Sequence, residues 1–236
     1  LPGPAFFVVQ RVFALREFLT IASQGVFESR GLLITMEGID GCGKTTQANL
    51  LHQRLVHEGL SPLMVREPGG TAVGEDIRQV ILNNHYSLSL GAETLLYMAA
   101  RSELSEQVIV PALVAGKVVL CDRFTDSTLA YQGYGGGADL KTIRYLNHFA
   151  TRGINPSLTI LFDLKAEEAV ARRTKQVDRM ESKDLNFYRR VRAGFLELVN
   201  TEKQRFLVID ATGSIDDIAG LVWSKTLLLI EKAGIC

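Results

Sequence analysis

From Gly31 onward the chain alternates short apolar runs with longer stretches of helical period. Leu32–Glu37 is a compact apolar run ahead of a glycine-rich stretch, and such a run predicts a short buried strand. Apolar positions then recur at helical spacing over Thr45–Glu58. Pro62–Arg66, Lys117–Cys121, Ser157–Leu164 and Arg205–Asp210 read as further strands. Helical period appears over Ala72–Asn83, Ala92–Ala115, Ser127–Tyr131, Leu140–Thr151 and Ile215–Lys232. The densest glycine cluster, Gly133–Gly137, predicts a loop. Strands that alternate with helices imply βαβ units, a parallel sheet and right-handed crossovers. The expected architecture is therefore α/β and three-layered, with a five-stranded parallel sheet and helices on both faces.

Composition narrows the class. The length of 236 residues suits one α/β domain. The 26 basic residues balance 26 acidic ones, so no overall field favours a nucleic acid or a membrane surface, and neither is expected as a partner. Any anion must be held by local geometry. Cys42, Cys121 and Cys236 are widely spaced and odd in number, which argues against a disulfide framework or a zinc site and suits a reducing, cytoplasmic setting. His52, His57, His85 and His148 have no metal-ligand spacing. Residues 1–30 are rich in Phe, Val and Leu, yet Arg11 and Arg16 interrupt them, and no stretch approaches the roughly 18 apolar residues a spanning helix needs. The expectation is an extension at 1–30 outside the catalytic domain, with the working domain at 31–236; a targeting peptide is the alternative.

The chemistry begins at Gly38-Ile39-Asp40-Gly41-Cys42-Gly43-Lys44-Thr45, which fits GxxxxGK[ST] between a strand and a helix. Glycines let the backbone turn so that successive N–H groups point at phosphate oxygens, and the following helix adds its positive end. Lys44 is expected on the β- and γ-phosphates, and the Thr45 hydroxyl on Mg²⁺. Thr46 completes the cradle. Asp122, at the carboxyl end of a strand, is the candidate second ligand for the metal; its alternative reading is a helix cap. These features point to ATP or GTP. The guanine-reading NKxD pattern is absent.

Six strings in order resemble the bacterial thymidylate kinase family over about Leu33 to Lys232. They are Glu37-Gly38-Ile39-Asp40-Gly41-Cys42-Gly43-Lys44-Thr45-Thr46, Arg66-Glu67-Pro68-Gly69-Gly70-Thr71, Tyr97-Met98-Ala99-Ala100-Arg101, Asp122-Arg123-Phe124, Ser127-Thr128-Leu129-Ala130-Tyr131-Gln132-Gly133 and Asp178-Arg179-Met180-Glu181. The resemblance implies transfer of the γ-phosphate of ATP to dTMP, a Mg²⁺ cofactor and a homodimer. It implies that Tyr97, where the family usually has Phe, stacks on the thymine. Arg101, one helical turn on, then contacts the base. Arg123 clamps the acceptor phosphate through its planar fork. Thr128, Gln132 and Ser127 read the base edge and ribose, Tyr131 crowds the sugar 2′ position, and Glu67 and Arg78 line the acceptor pocket. Asp40 organises the acceptor beside the metal.

The resemblance also places a short lid near 172–182. The cradle interior has no arginine, and in this it resembles the bacterial subclass of the family whose lid supplies the cation that stabilises the transferring phosphoryl group; the resemblance makes Arg173 and Arg179 the candidates, with Lys175 behind them. Two other readings stay open: a kinase for another nucleoside monophosphate, and a non-catalytic nucleotide-binding module.

Overall fold

A computed structural model describes residues 30–172 and 178–235. Five strands, β1 (Leu32–Glu37), β2 (Leu63–Arg66), β3 (Val118–Asp122), β4 (Leu158–Asp163) and β5 (Phe206–Asp210), form one parallel sheet in the order β2-β3-β1-β4-β5. β1 is central and all six of its residues are buried, as expected of a parallel strand covered on both faces. Its neighbours β3 and β4 are nearly as buried. The short edge strand β2 alternates half-buried and exposed positions.

Register decides where the chemistry falls. Met36 pairs with Asp122 across β1 and β3. Glu37, one residue further, pairs with Leu161 of β4. The carboxyl ends of three adjacent strands thus deliver acids and loops to one edge, the edge where parallel sheets bind ligands.

The helices α1 (Lys44–His57), α2 (Ala72–Leu82), α3 (Leu90–Leu104), α6 (Leu140–Ala150), α8 (Leu185–Thr201) and α9 (Ile215–Ala233) surround the sheet, with short α4 (Val110–Val114), α5 (Thr125–Thr128) and α7 (Ala166–Ala171) between them. Side chains cap α2, α3, α6, α8 and α9, through Thr71, Ser89, Asp139, Asp184 and Ser214. Helix α1 begins at Gly43 with no side-chain cap. A glycine at this position costs only a few tenths of a kcal/mol relative to a side-chain cap, and it leaves the first N–H groups of α1 open to an anion.

The predicted helix over Ala92–Ala115 is α3 and α4, joined by a π-helical turn at Ser105–Ile109. Pro111 explains the change of winding, because it lacks an N–H and its ring crowds the carbonyl one turn back. The loop expected at Gly133–Gly137 is a correction. Leu129–Gly135 is π-helical and largely buried. Its glycines serve close packing: a Cβ on Gly133 would lie 2.4 Å from Leu140, and one on Gly135 2.7 Å from Val191. No helical period was read between Leu164 and Arg205, where α7 and α8 form. Phe187, Tyr188 and Phe195 of α8 meet the Tyr131 ring edge-on at 6.1 to 6.3 Å. Among the described residues no helix is long and apolar enough to cross a membrane. The expected extension lies outside the described residues except for Arg30.

Candidate active site

The loop from Gly38 to Gly43 takes three left-handed turns, at Gly38 (φ 138°), Gly41 (φ 86°) and Gly43 (φ 95°). A Cβ on Gly38 would strike Phe162 O at 2.6 Å, so that glycine lets the loop lie against β4. Around Gly43 there is open space instead, on the side where an anion would meet the helix. Lys44 is buried, and its Nζ donates to Ile39 O at 3.0 Å. Thr45 Oγ1 donates to Asp122 Oδ2 at 2.6 Å. A hydroxyl and a carboxylate brought together at the start of a phosphate-facing helix make an all-oxygen donor set, which fits a hard divalent cation such as Mg²⁺. Ile39 and Cys42 are buried in the loop, while Thr46 is exposed at the start of α1.

Beside the loop stands Arg123. Its backbone N–H continues the ladder by donating to Met36 O at 3.0 Å, and its φ of 70° is unusual for a non-glycine residue. The strain aims the side chain back under the loop. Nη1 donates to Gly38 O and Ser127 Oγ, at 3.0 and 3.1 Å. Nη2 donates to Asp40 Oδ1 at 2.5 Å and to the Tyr131 hydroxyl at 3.1 Å. The guanidinium also lies over the Tyr131 ring, 4.9 Å from its centroid. Tyr131 donates to Asp40 Oδ2 at 3.0 Å. Burial favours a protonated Asp40, but Arg123, Lys44 and the Tyr131 hydroxyl outweigh it and hold the carboxyl at about 2.

Below this group, Glu37 accepts from Phe124 N at 2.8 Å and from the Ser127 hydroxyl at 2.6 Å. Burial, reinforced by the nearby Asp126 carboxylate, raises Glu37 from 4.5 to about 8. Asp126 is itself gripped at both oxygens by Arg205, at 2.7 and 2.8 Å.

A cleft opens next to Asp40 and Arg123. Glu67, Arg78, Tyr97, Arg101, Ser127, Thr128, Tyr131 and Gln132 line it, so every residue expected in the acceptor pocket meets in one place. Asp178, Met180 and Glu181 complete the wall. Arg101 is 1% exposed. Its donors go to Glu67 Oε2, Thr128 Oγ1, Asn147 Oδ1 and Phe124 O, at 2.5 to 2.9 Å, so its five N–H groups are all taken by protein. Arg78 Nη1 donates to Pro68 O at 2.9 Å. Burial, then the Glu93 carboxylate, pushes the Tyr97 phenol up.

The lid residues fare differently. Arg173 and Lys175 lie outside the described residues. Arg179 is buried, between Asp178 and Met180 of the cleft wall in sequence but not lining the cleft itself, and donates to Ile81 O and to Glu93 Oε2, each at 2.6 Å. It is a tether in this arrangement. Arg172, at the end of α7, donates to Ala211 O at 3.2 Å.

Sequence reasoning assigned no role to Glu37, Glu93, Asn147 or Tyr188. Glu37 directly precedes the phosphate loop. Glu93 sits in the first turn of α3, where an acid is expected for dipole reasons alone, so nothing local marks it. Tyr188 donates to Met180 O at 2.9 Å and reaches Asp40 Oδ2 at 3.4 Å.

A bare helix N-terminus with a phosphate loop, a hydroxyl–carboxylate pair beside it and a second cleft bridged by one arginine define a P-loop nucleotide-binding protein with room for a second substrate. The profile of the family described as thymidylate kinase matches residues 36–221. A thymidylate kinase from Synechococcus sp. is 52% identical over 193 residues, covering 82% of this chain and 93% of that one. One from Kosmotoga olearia is 43% identical over 205 residues, covering 86% and 99%. The crystal structure of thymidylate kinase from Ehrlichia chaffeensis superposes with a TM-score of 0.68 at 34% identity, covering 84% of this chain and 98% of that one. The chain belongs to the thymidylate kinase family.

Proposed function

We propose that this chain transfers the γ-phosphate of ATP to dTMP, giving dTDP and ADP. The observation that carries the reading is the junction at Arg123, which binds the phosphate loop through Gly38 O and the acceptor cleft through Asp40, Ser127 and Tyr131. One guanidinium thereby holds the two substrate sites in fixed relation.

ATP phosphates lie in the loop from Gly38 to Thr46, on the bare N-terminus of α1, with Lys44 neutralising the transferring group. Thr45 and Asp122 would hold Mg²⁺, which would offset phosphate charge when bound. The dTMP base enters between Tyr97 and the wall formed by Arg101, Thr128 and Gln132, with Glu67 buried behind Arg101 and Arg78 at the rim. Arg123 meets the acceptor phosphate. Asp40 and Tyr131 hold Arg123 in place, and Asp40 stays ionised at neutral pH to do so. No general base is needed, since the attacking phosphate oxygen is already ionised. Positioning and charge stabilisation supply the rate. A cation of the 172–182 segment is expected to stabilise the transferring phosphoryl group, with Arg173 the candidate, while Arg179 is tied to Ile81 and Glu93. The catalytic unit is 31–236.

The exposed Leu95, Tyr145 and Phe149 on α3 and α6 support a homodimer across those helices. Sedimentation equilibrium tests it: Phe149→Asp is expected to sediment as a monomer, and a wild-type monomer would refute the dimer. For the reaction itself the test is Mg²⁺-dependent ADP release with dTMP, dUMP, UMP, CMP, AMP and GMP as separate acceptors. Strong preference for dTMP is expected. Preference for another nucleotide would overturn the acceptor assignment, and no acceptor dependence would point to a non-catalytic module.

A further inference from the structure

Among the described residues Gln132 is the only carboxamide that lines the cleft. A carboxamide has a donor end and an acceptor end, and the end that faces a ligand decides what it recognises. At Gln132 the choice is made from behind. Its Nε2 donates to Glu93 Oε1 at 2.8 Å, and a carboxylate only accepts, so the nitrogen must lie on that side. The other oxygen of Glu93 accepts from Arg179 Nη1 at 2.6 Å. Arg179 can only donate, and its Nε is spent on Ile81 O. Every joint from Ile81 O through Arg179 and Glu93 to Gln132 therefore has a forced direction. Glu93 is 5% exposed, Gln132 2% and Arg179 9%, so water does not compete for these joints. Among the described residues no donor reaches the side-chain oxygen Oε1 of Gln132.

We infer that Glu93, braced by Arg179, holds Gln132 with its oxygen toward the acceptor, and that this orientation selects a pyrimidine carrying an N–H at ring position 3 over one with a bare nitrogen there. The inference rests on the reading of the cleft as the dTMP site. Thymine and uracil offer an N–H to that oxygen. Cytosine and 5-methylcytosine present a lone pair to it, and two acceptors face each other. Arg101 can only donate, and its five N–H groups are engaged with protein, so it cannot accept that ring N–H. Glu93 touches no substrate in this scheme; it is a positioning residue.

The test is Glu93→Gln, assayed with dTMP against 5-methyl-dCMP, which keeps the methyl group and differs only along the read edge. Arg179, still a donor, draws the oxygen of the new amide. That turns the new NH₂ toward Gln132, whose own amide must rotate to accept it, and its NH₂ then faces the cleft. The ratio of kcat/KM for dTMP to that for 5-methyl-dCMP is expected to fall about tenfold or more, the scale of one mispaired buried hydrogen bond. KM for dTMP should move more than kcat, and KM for ATP should stay put. Glu93→Asp keeps an acceptor-only group, and the ratio is expected to stay near the wild-type value even if turnover drops. An unchanged ratio in a folded Glu93→Gln variant, or an equal fall in Glu93→Asp, overturns the inference. Should Glu93→Gln not fold, the wild-type chain and Glu93→Asp still decide: acceptance of 5-methyl-dCMP as readily as dTMP by the wild type sinks the idea. A wild type that phosphorylates neither nucleotide fails the reading of the cleft instead.

Discussion

Glu37→Gln gives the sharpest physical prediction. Glu37 is fully buried at the end of β1. Its two oxygens accept from Phe124 N–H and the Ser127 hydroxyl; at the same volume an amide oxygen can accept from Phe124 N–H, and the amide NH₂ can donate to the Ser127 hydroxyl once that hydroxyl turns. Burial and Asp126 raise the carboxyl from 4.5 to about 8. The folded chain therefore holds a proton that the unfolded chain releases above pH 4.5. Folding takes up that proton, so the contribution of this group is most favourable below pH 4.5 and declines as pH climbs to about 8. At 1.36 kcal/mol per unit, the decline amounts to roughly 4 kcal/mol between about pH 5 and about pH 8. An uncharged amide has no such dependence. Urea unfolding of both proteins at the two pH values measures it. The variant should gain on the wild type as pH rises, by several kcal/mol across the window. A difference that stays constant from acid to base would mean that Glu37 is ionised in the fold, and the reasoning about its burial would be wrong.

Three other outcomes follow from the site. Lys44→Ala should retain the fold by circular dichroism yet lose at least about a hundredfold in kcat, because a charge preorganised at the phosphates is removed; wild-type ADP release would contradict it. Thr45→Val removes one arm of the Thr45–Asp122 pair and should raise the Mg²⁺ concentration for half-maximal rate, measured by titrating a chelated enzyme. Arg123→Ala should raise KM for dTMP by about tenfold or more. It should also weaken the fold at neutral pH, since Asp40 is held at about 2 largely by that guanidinium. The sign is that of a depressed carboxyl: the stabilisation is present above the ordinary Asp value of 3.8 and lost as pH falls through about 2, and it amounts to about 2 kcal/mol. Equal acid sensitivity in wild type and variant would contradict that step.

Much of this was legible in the chain because it depends on local pattern. Leu32–Glu37 is a strand in both sequence and structure, and the other strands differ from their predicted ends by a residue or two. The phosphate loop needs glycines at fixed spacing, and they mark it. What stayed hidden depends on tertiary packing. The glycines of 133–135 read as a loop because sequence shows their freedom and not the neighbours, Leu140, Val191 and Phe187, that require their smallness. Arg179 read as a free lid cation, since its partner Glu93 lies 86 residues away in the chain. The residues expected around the acceptor do converge on one cleft, but the acids that orient them, Glu37 and Glu93, carry no local mark of that work.

The most direct measurement follows the phosphate itself. ATP labelled in its γ-phosphate is incubated with the full chain, Mg²⁺ and dTMP, and the products are separated. Label on the β-phosphate of dTDP, in step with ADP, is the expected result. Label released as inorganic phosphate, or carried by a different nucleotide when several are offered together, would contradict the assignment of Arg123 and its cleft to dTMP.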